Sequence, residues 1–371
     1  MVVEKREPIR VLHVVTHMNR GGLESMLMNY YRHIDKKRIQ FDFLTHRPYD
    51  GDFGDEIKSL GGEIYHLPKL NPFSKKYMEE LKCFFSSHTY EIVHSHLDCM
   101  SAYPLCAAKQ SGVKVRIAHA HSKSQDKDAK YIIKLIEKKK IPRYATHLFA
   151  CGKEAGEWMF SGQTYQIMNN AIEVKKYKYN DERRVYIRHQ FGITDEFVVG
   201  HVGRFNYPKN HTFLIDIFKK IHDVDKTSKL LLVGGGEKAE DIKKKVKDLG
   251  LEHSVIFAGI CSNVNELIQA MDVFVFPSIY EGLPVTMVEA QAAGLPCVMS
   301  GNVPKETVLT DLVDVMSLSE SAEEWAKKIL TYKGFKREDY SEKIKKMHFD
   351  IESNAKWLMD VYENAIRVNE V

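Results

Sequence analysis

The feature that most constrains this chain is a recurrence: short apolar runs rich in β-branched residues, with helix-like stretches between them. The runs are Ile9 to Val15, Phe41 to Thr45, Ile92 to His94, Val115 to His119, Phe197 to Val202, Leu230 to Val233, Val255 to Phe257 and Val273 to Phe276. A strand with one wet face alternates apolar and polar residues, whereas a continuous apolar run needs cover on both faces, as in a parallel sheet flanked by helices. Strands alternating with helices predict an α/β fold. At 371 residues the chain exceeds what one ordinary hydrophobic core holds, so two domains are expected. The Asn169-Asn170 pair and the polar tail of Met168 to Tyr177 break the periodicity and place a hinge there. The last stretch, Ile351 to Val368, puts Ala355, Trp357, Leu358, Val361, Tyr362 and Ile366 on a helix whose apolar side needs a partner.

Composition excludes several classes. Hydrophobic residues at 44% and charged residues at 28% are ordinary for a globular protein, and a formal charge of +4 is too small to imply nucleic acid. The charge is nevertheless concentrated. Lys123, Lys127, Lys130, Lys134, Lys138, Lys139, Lys140 and Arg143 share a segment with Tyr131, Ile132, Ile133, Leu135 and Ile136. That is either a solvated helix face or a basic amphipathic helix lying on an anionic membrane surface. No apolar run approaches the roughly 20 residues of a spanning helix, and the first residues show no signal-peptide pattern. The six cysteines form no C-x-x-C pair and no zinc-like spacing. The expectation is a cytoplasmic protein with reduced thiols, with peripheral contact at the inner face of a membrane through 123–143 as an open option.

Three constellations carry chemistry. The first strand leads into Met18-Asn19-Arg20-Gly21-Gly22 and then a helix, so backbone N–H groups can approach an anion at the positive end of the helix dipole. The turn is neither G-x-G-x-x-G nor a Walker loop, and a plain turn uses the same glycines. A later strand ends in Gly203-Arg204, with Lys209 five residues beyond Arg204. Two cations on one loop can neutralise a leaving diphosphate without a metal, although surface charge reads the same way. The sharpest pattern is Pro277-Ser278-Ile279-Tyr280-Glu281-Gly282-Leu283-Pro284, followed by Glu289. Pro284 suits the first turn of a helix, which leaves Glu281 in the preceding loop and Glu289 inside an otherwise apolar helix. A carboxylate there must find hydrogen-bond donors, and ribose hydroxyls would supply them.

Two histidine pairs, His94-x-His96 and His119-x-His121, end two of the strands. Alternate histidines are possible metal ligands, but no third ligand of suitable spacing is evident, so no metal site is expected and hydrogen bonding to sugar or phosphate is favoured.

Taken together these residues resemble the retaining GT-B glycosyltransferases of the large family four, the group 1 glycosyltransferases, which include many bacterial capsule and exopolysaccharide enzymes. The resemblance covers nearly the whole chain: Gly21-Gly22, His121, Gly203-Arg204 with Lys209, Val233-Gly234-Gly235-Gly236-Glu237, Phe257-Ala258-Gly259, and Glu281-x7-Glu289. It implies two Rossmann-like domains facing across a cleft. The first would be 1–170, acceptor-side and joined by the helix of 351–371; the second, 171–350, would bind the donor. The implied activity is a retaining, metal-independent transfer from a nucleotide sugar, by family habit a UDP-sugar, to a saccharide or lipid-linked acceptor, with no further cofactor. Under the same resemblance Arg204 and Lys209 would hold the diphosphate, Glu289 the ribose, and Glu281 with the backbone at Gly282 and Leu283 the donor sugar. Gly235 would lie at the donor, backbone near Ile260 would meet the base, and Gly21 and Gly22 would close over the phosphates. His121 would stand beside the reacting centre, so that His121, Arg204, Lys209 and Glu281 make the catalytic set. A sugar-nucleotide epimerase on the same fold and a non-catalytic sugar-nucleotide-binding subunit are the alternatives.

Overall fold

The computed structural model describes residues 7–122, 124 and 131–368. By internal contacts it divides into two units, residues 1–171 with 351–371, and residues 172–350.

The first unit is built on a sheet of seven strands: β1 (Ile9–Val14), β2 (Ile39–Thr45), β3 (Ile64–His66), β4 (Ile92–Ser95), β5 (Val115–Ala120), β6 (His147–Ala150) and β7 (Gln166–Ile167). Their order is β3-β2-β1-β4-β5-β6-β7, and every pairing is parallel. All of β2 is buried although Gln40 and Asp42 alternate with Ile39, Phe41 and Phe43 along it, because Tyr31 bonds Gln40 and Arg10 bonds Asp42. One face of the sheet carries Val11, Phe41, Phe43, Ile92 and Ile117 under the helix Gly22–His33 and the final helix Ile351–Val368. The final helix buries Ile351, Ala355, Leu358, Met359, Tyr362 and Ile366 in that core. Each large side chain so covered contributes roughly 1.5–3 kcal/mol. Arg38 fixes the helix's outer side, donating to Glu363 at 2.9 Å and to Asp360 at 3.0 Å.

The second unit has strands β8 (Val198–Val202), β9 (Lys229–Val233), β10 (Val255–Gly259), β11 (Val273–Phe276), β12 (Cys297–Ser300) and β13 (Val313–Met316), ordered β10-β9-β8-β11-β12-β13 and again parallel. One face buries Leu214, Phe218, Leu230, Leu232, Val275 and Trp325. The other buries Leu231, Val233, Phe274, Phe276, Met287 and Cys297. Apart from β7, both sheets therefore share one strand order, in which the winding reverses beside the first strand of each unit. No helix among the described residues is long and apolar enough to cross a membrane.

Candidate active site

In an open parallel sheet, ligands bind beyond the carboxyl ends of the strands, where the strand order reverses. That point lies between β8 and β11 in the second unit and between β1 and β4 in the first.

In the second unit the loops after β8 and β11 are tied together: Ile279 donates its N–H to the Pro208 carbonyl at 2.8 Å, and the Asn210 amide donates to the Pro277 carbonyl at 3.1 Å. Asn210 holds a left-handed φ of 55°, an uncommon conformation for a residue other than glycine. This junction sets Lys209 against Glu281, Nζ to Oε1 2.8 Å, with both side chains mostly buried. The Lys209 ammonium also lies 4.4 Å from the ring centre of Phe276. The glycines after β9 let this edge close: Gly234 has φ +135°, and a Cβ there would fall 2.1 Å from the Gly203 carbonyl oxygen. Gly235 faces Ile260, whose side chain is 82% exposed just after Gly259. Arg204 is exposed and paired with Glu237 at 3.1 Å. Gly282 has open space around it.

Glu289 sits in the helix Val285–Ala292 and accepts a hydrogen bond from the Tyr177 hydroxyl at 2.6 Å. Desolvation pushes its carboxyl up to about 6, while the Tyr177 bond pulls the other way. The sequence reading is corrected on one point of local structure: Pro284 is the residue before the helix rather than in its first turn, with ψ 107°, because the chain is still extended there. Leu283 lies before it, packed against the small core of Ile172, Val174 and Val288.

In the first unit, Gly21 precedes the helix Gly22–His33 in an extended conformation without a side-chain cap, and Gly22 has no neighbour where a Cβ would go. Glu24 in the first turn pairs with His17 at 3.1 Å, and burial raises its carboxyl. The expectation that the histidine pairs lack a third partner is overturned. Strands pair β1 with β4 and β4 with β5, so residues alternating on one face of the sheet bring His13, His94, His96, His119 and His121 together. Ring nitrogens lie 2.9 Å apart between His13 and His96, 3.0 Å between His96 and His121, and 3.2 Å between His94 and His119. His94 is backed by the Tyr362 hydroxyl at 2.8 Å, from the final helix. Burial lowers the affinity of all five for a proton, with His13 and His121 brought down to about 3, so the cluster is neutral near pH 7.

His96 and His121 open onto a cavity of about 450 Å³, also lined by Thr16, Leu23, Asp98 and Ser122 and by the cations Arg47, Lys69 and Lys134. Asp98, at a left-handed φ of 46°, accepts from the His121 backbone N–H at 2.7 Å and the Ser122 hydroxyl at 2.9 Å. Strain at a ligand-facing loop is a common mark of function. Sequence reasoning missed Asp98, His13, Tyr177 and Tyr362; only Asp98 carried a local signal, standing two residues past His94-x-His96. Of the basic segment, Lys123, Lys127 and Lys130 lie outside the described residues. The rest is on the helix Tyr131–Tyr144, where Ile132 and Ile136 are exposed one turn apart and Lys138 covers Trp158 at 4.2 Å.

Two parallel sheets of one strand order, each with polar side chains gathered at its reversal point, define an enzyme built from paired Rossmann-like domains, the GT-B architecture. Residues 196–332 match the family of glycosyl transferases group 1. The chain is 35% identical to the glycosyltransferase EpsF of Bacillus subtilis (strain 168), over 95% of this chain and 96% of that protein. The chain belongs to the group 1 glycosyl transferases. It is also 24% identical to the capsular polysaccharide biosynthesis glycosyltransferase CapH of Staphylococcus aureus, over 76% of this chain and 78% of that protein. Among solved structures, HepE of Anabaena in complex with UDP superposes with a TM-score of 0.79 at 17% identity, covering 96% of this chain and all of that one.

Proposed function

We propose that this glycosyltransferase takes a sugar from a UDP-sugar bound at the β8–β11 edge of the second unit and transfers it, with retained configuration, to a saccharide or lipid-linked acceptor bound by the first unit, in capsule or exopolysaccharide biosynthesis. The observation that carries the reading is the Lys209–Glu281 pair, a mostly buried ion pair at the point where such sheets bind ligands. A donor diphosphate entering beside it would take the ammonium as counter-charge and leave Glu281 to accept from sugar hydroxyls, while Glu289, held by Tyr177, accepts from the ribose. Arg204, exposed and paired only at the surface, is able to turn onto the phosphates. Similarity to CapH supports the polysaccharide setting, and the UDP complex of HepE supports the nucleotide.

In the proposed step the bond from the anomeric carbon to the β-phosphate oxygen breaks, the acceptor hydroxyl oxygen bonds to that carbon on the same face, and its proton passes to the departing phosphate. Lys209 and Arg204 stabilise the charge that grows on the diphosphate, so no metal is required and their effect is largest in the transition state. On the acceptor side, the cavity below Arg47, Lys69 and Lys134 combines cations with apolar walls and suits a phosphate-linked acceptor, with neutral His121 at its floor. Peripheral contact with an anionic membrane through the segment 123–143 belongs to the same proposal.

The test is a UDP-sugar panel screened by thermal shift, then product analysis by mass spectrometry and NMR on saccharide and lipid-linked acceptors. An anomeric coupling matching the donor is expected; an inverted product, or isomerised donor formed without acceptor, overturns the reading. Binding to anionic vesicles should weaken with salt, and equal binding to neutral vesicles removes the membrane contact.

A further inference from the structure

We propose that the histidine cluster of the first unit is a transition-metal site, in which His96, His119 and His121 bind one divalent cation of the zinc class. Each of the three offers a ring nitrogen, and these atoms all lie within 4.8 Å of one another. The nitrogens of His96 and His121 that face each other, Nδ1 and Nε2, are 3.0 Å apart, near the spacing of two ligands on one tetrahedral ion. His119 Nε2 is buried and has no hydrogen-bond partner among the described residues. An orphaned ring nitrogen in a fully buried histidine is costly unless something occupies its lone pair, and a metal ion does so.

The outer nitrogens fit the same reading. A ligating imidazole is normally oriented by a hydrogen bond from its other nitrogen. Here His119 Nδ1 faces His94 Nε2 at 3.2 Å, His94 Nδ1 faces the Tyr362 hydroxyl at 2.8 Å, and His96 Nε2 faces His13 Nδ1 at 2.9 Å. With protons on His119 Nδ1, His94 Nδ1 and His96 Nε2, the inner nitrogens of His96 and His119 are bare. The proton between His96 and His121 then sits on His121 Nε2, and it alone has to move when the ion enters, passing to His121 Nδ1. His13, His94 and His96 also form a compact trio. That trio is wholly buried, whereas His96 and His121 line the cavity, which supplies an entry path and room for a water or hydroxyl in the fourth position.

The site is built from residues of the first unit and the Lys209–Glu281 edge from residues of the second, and its test reads metal binding alone, so its failure leaves the donor reading untouched. Full-length, untagged protein is stripped with a chelator and titrated with Co2+, then with Zn2+. One equivalent of Co2+ should bind, giving the visible absorption of a low-symmetry nitrogen-ligated ion, and Zn2+ should displace it. His119→Gln should weaken binding by at least ~100-fold, since losing a ligand exceeds the roughly 10–100-fold effect of an outer-shell change. His121→Gln, at the cavity edge where packing is looser, should do the same and serves if the buried variant does not fold. Absence of stoichiometric Co2+ binding by the wild-type protein overturns the site. So does undiminished affinity in either folded variant.

Discussion

The two units of this glycosyltransferase share a strand order yet furnish their reversal points with opposite chemistry. Between β8 and β11 stand a mostly buried cation and carboxylate, Lys209 and Glu281, with glycines after β9 that bring backbone close. Between β1 and β4 the floor is a set of uncharged imidazoles under a cavity whose cations stand on its walls. In the proposed reaction the formed ion pair exchanges partners with the departing diphosphate, while the neutral floor orients hydroxyls or takes the proposed metal. The fold therefore fixes where a ligand sits, and the side chains at the strand ends fix what it is.

The contrast breaks most sharply at Lys209. Lys209→Ala removes the mostly buried partner of Glu281 and is expected to lower kcat about 1000-fold, or ~4 kcal/mol of transition-state stabilisation, with acceptor KM little changed. Steady-state kinetics with the identified donor checks this; turnover within threefold of wild type removes Lys209 from the mechanism. Next in size is Gly234→Ala. It adds a Cβ 2.1 Å from a backbone oxygen at φ +135°, and should destabilise the second unit by about 2–4 kcal/mol, whereas Gly282→Ala, with open space around it, should stay within roughly 0.5 kcal/mol. Denaturant melts of both variants decide it, and equal stabilities would show that the glycine-lined edge is not closely packed.

How much of this was legible in the sequence divides along the same line. All eight apolar runs are strands, because burial on both faces leaves a mostly apolar pattern along the chain, interrupted at residues such as Arg10 and Asp42 that pair with each other. β3, β6, β7, β12 and β13 were not read: all are two to four residues long, and β3, β6, β7 and β13 lie at or next to a sheet edge, where incomplete burial leaves no apolar run. Lys209, Glu281 and Glu289 were visible because each follows a strand within one local motif. The histidine cluster was not, since His13 lies 83 residues from its partner His96, and only the parallel pairing of β1 with β4 joins them. Tyr177 and Tyr362 were hidden for the same reason, reaching Glu289 across 112 positions and His94 across 268.

Those two tyrosines extend the comparison to pH. The Glu289 carboxyl lies at about 6 in the folded protein against 4.5 ordinarily, so between those values the folded state binds more protons and its stability falls as pH rises. The change amounts to at most about 2 kcal/mol. Glu289→Gln should flatten the stability profile across that window. Tyr177→Phe, which removes the bond that favours the ionised form, should carry the upper end of the window to higher pH. Urea melts from pH 4 to pH 8 measure both, and an unchanged slope in Glu289→Gln would assign the dependence to another group.

The smallest effect is expected at the matching tyrosine of the first unit. Tyr362→Phe keeps the ring that packs in the core and deletes the hydroxyl facing His94 Nδ1. Both partners are neutral, so the loss is near 1 kcal/mol, and the buried nitrogen left behind sets the upper limit at about 3 kcal/mol. Tyr177→Phe removes a bond to a carboxylate and should be the costlier change above pH 6, at about 1.5–3 kcal/mol, because charged acceptors make the stronger bonds. Below the Glu289 transition that advantage is lost and the two variants should converge. Paired melts at pH 5 and pH 8 read the difference directly. A Tyr362→Phe penalty larger than that of Tyr177→Phe at pH 8 would mean that the imidazole cluster is charged or metal-loaded in the protein as isolated, and chelator treatment before the melt separates those two cases.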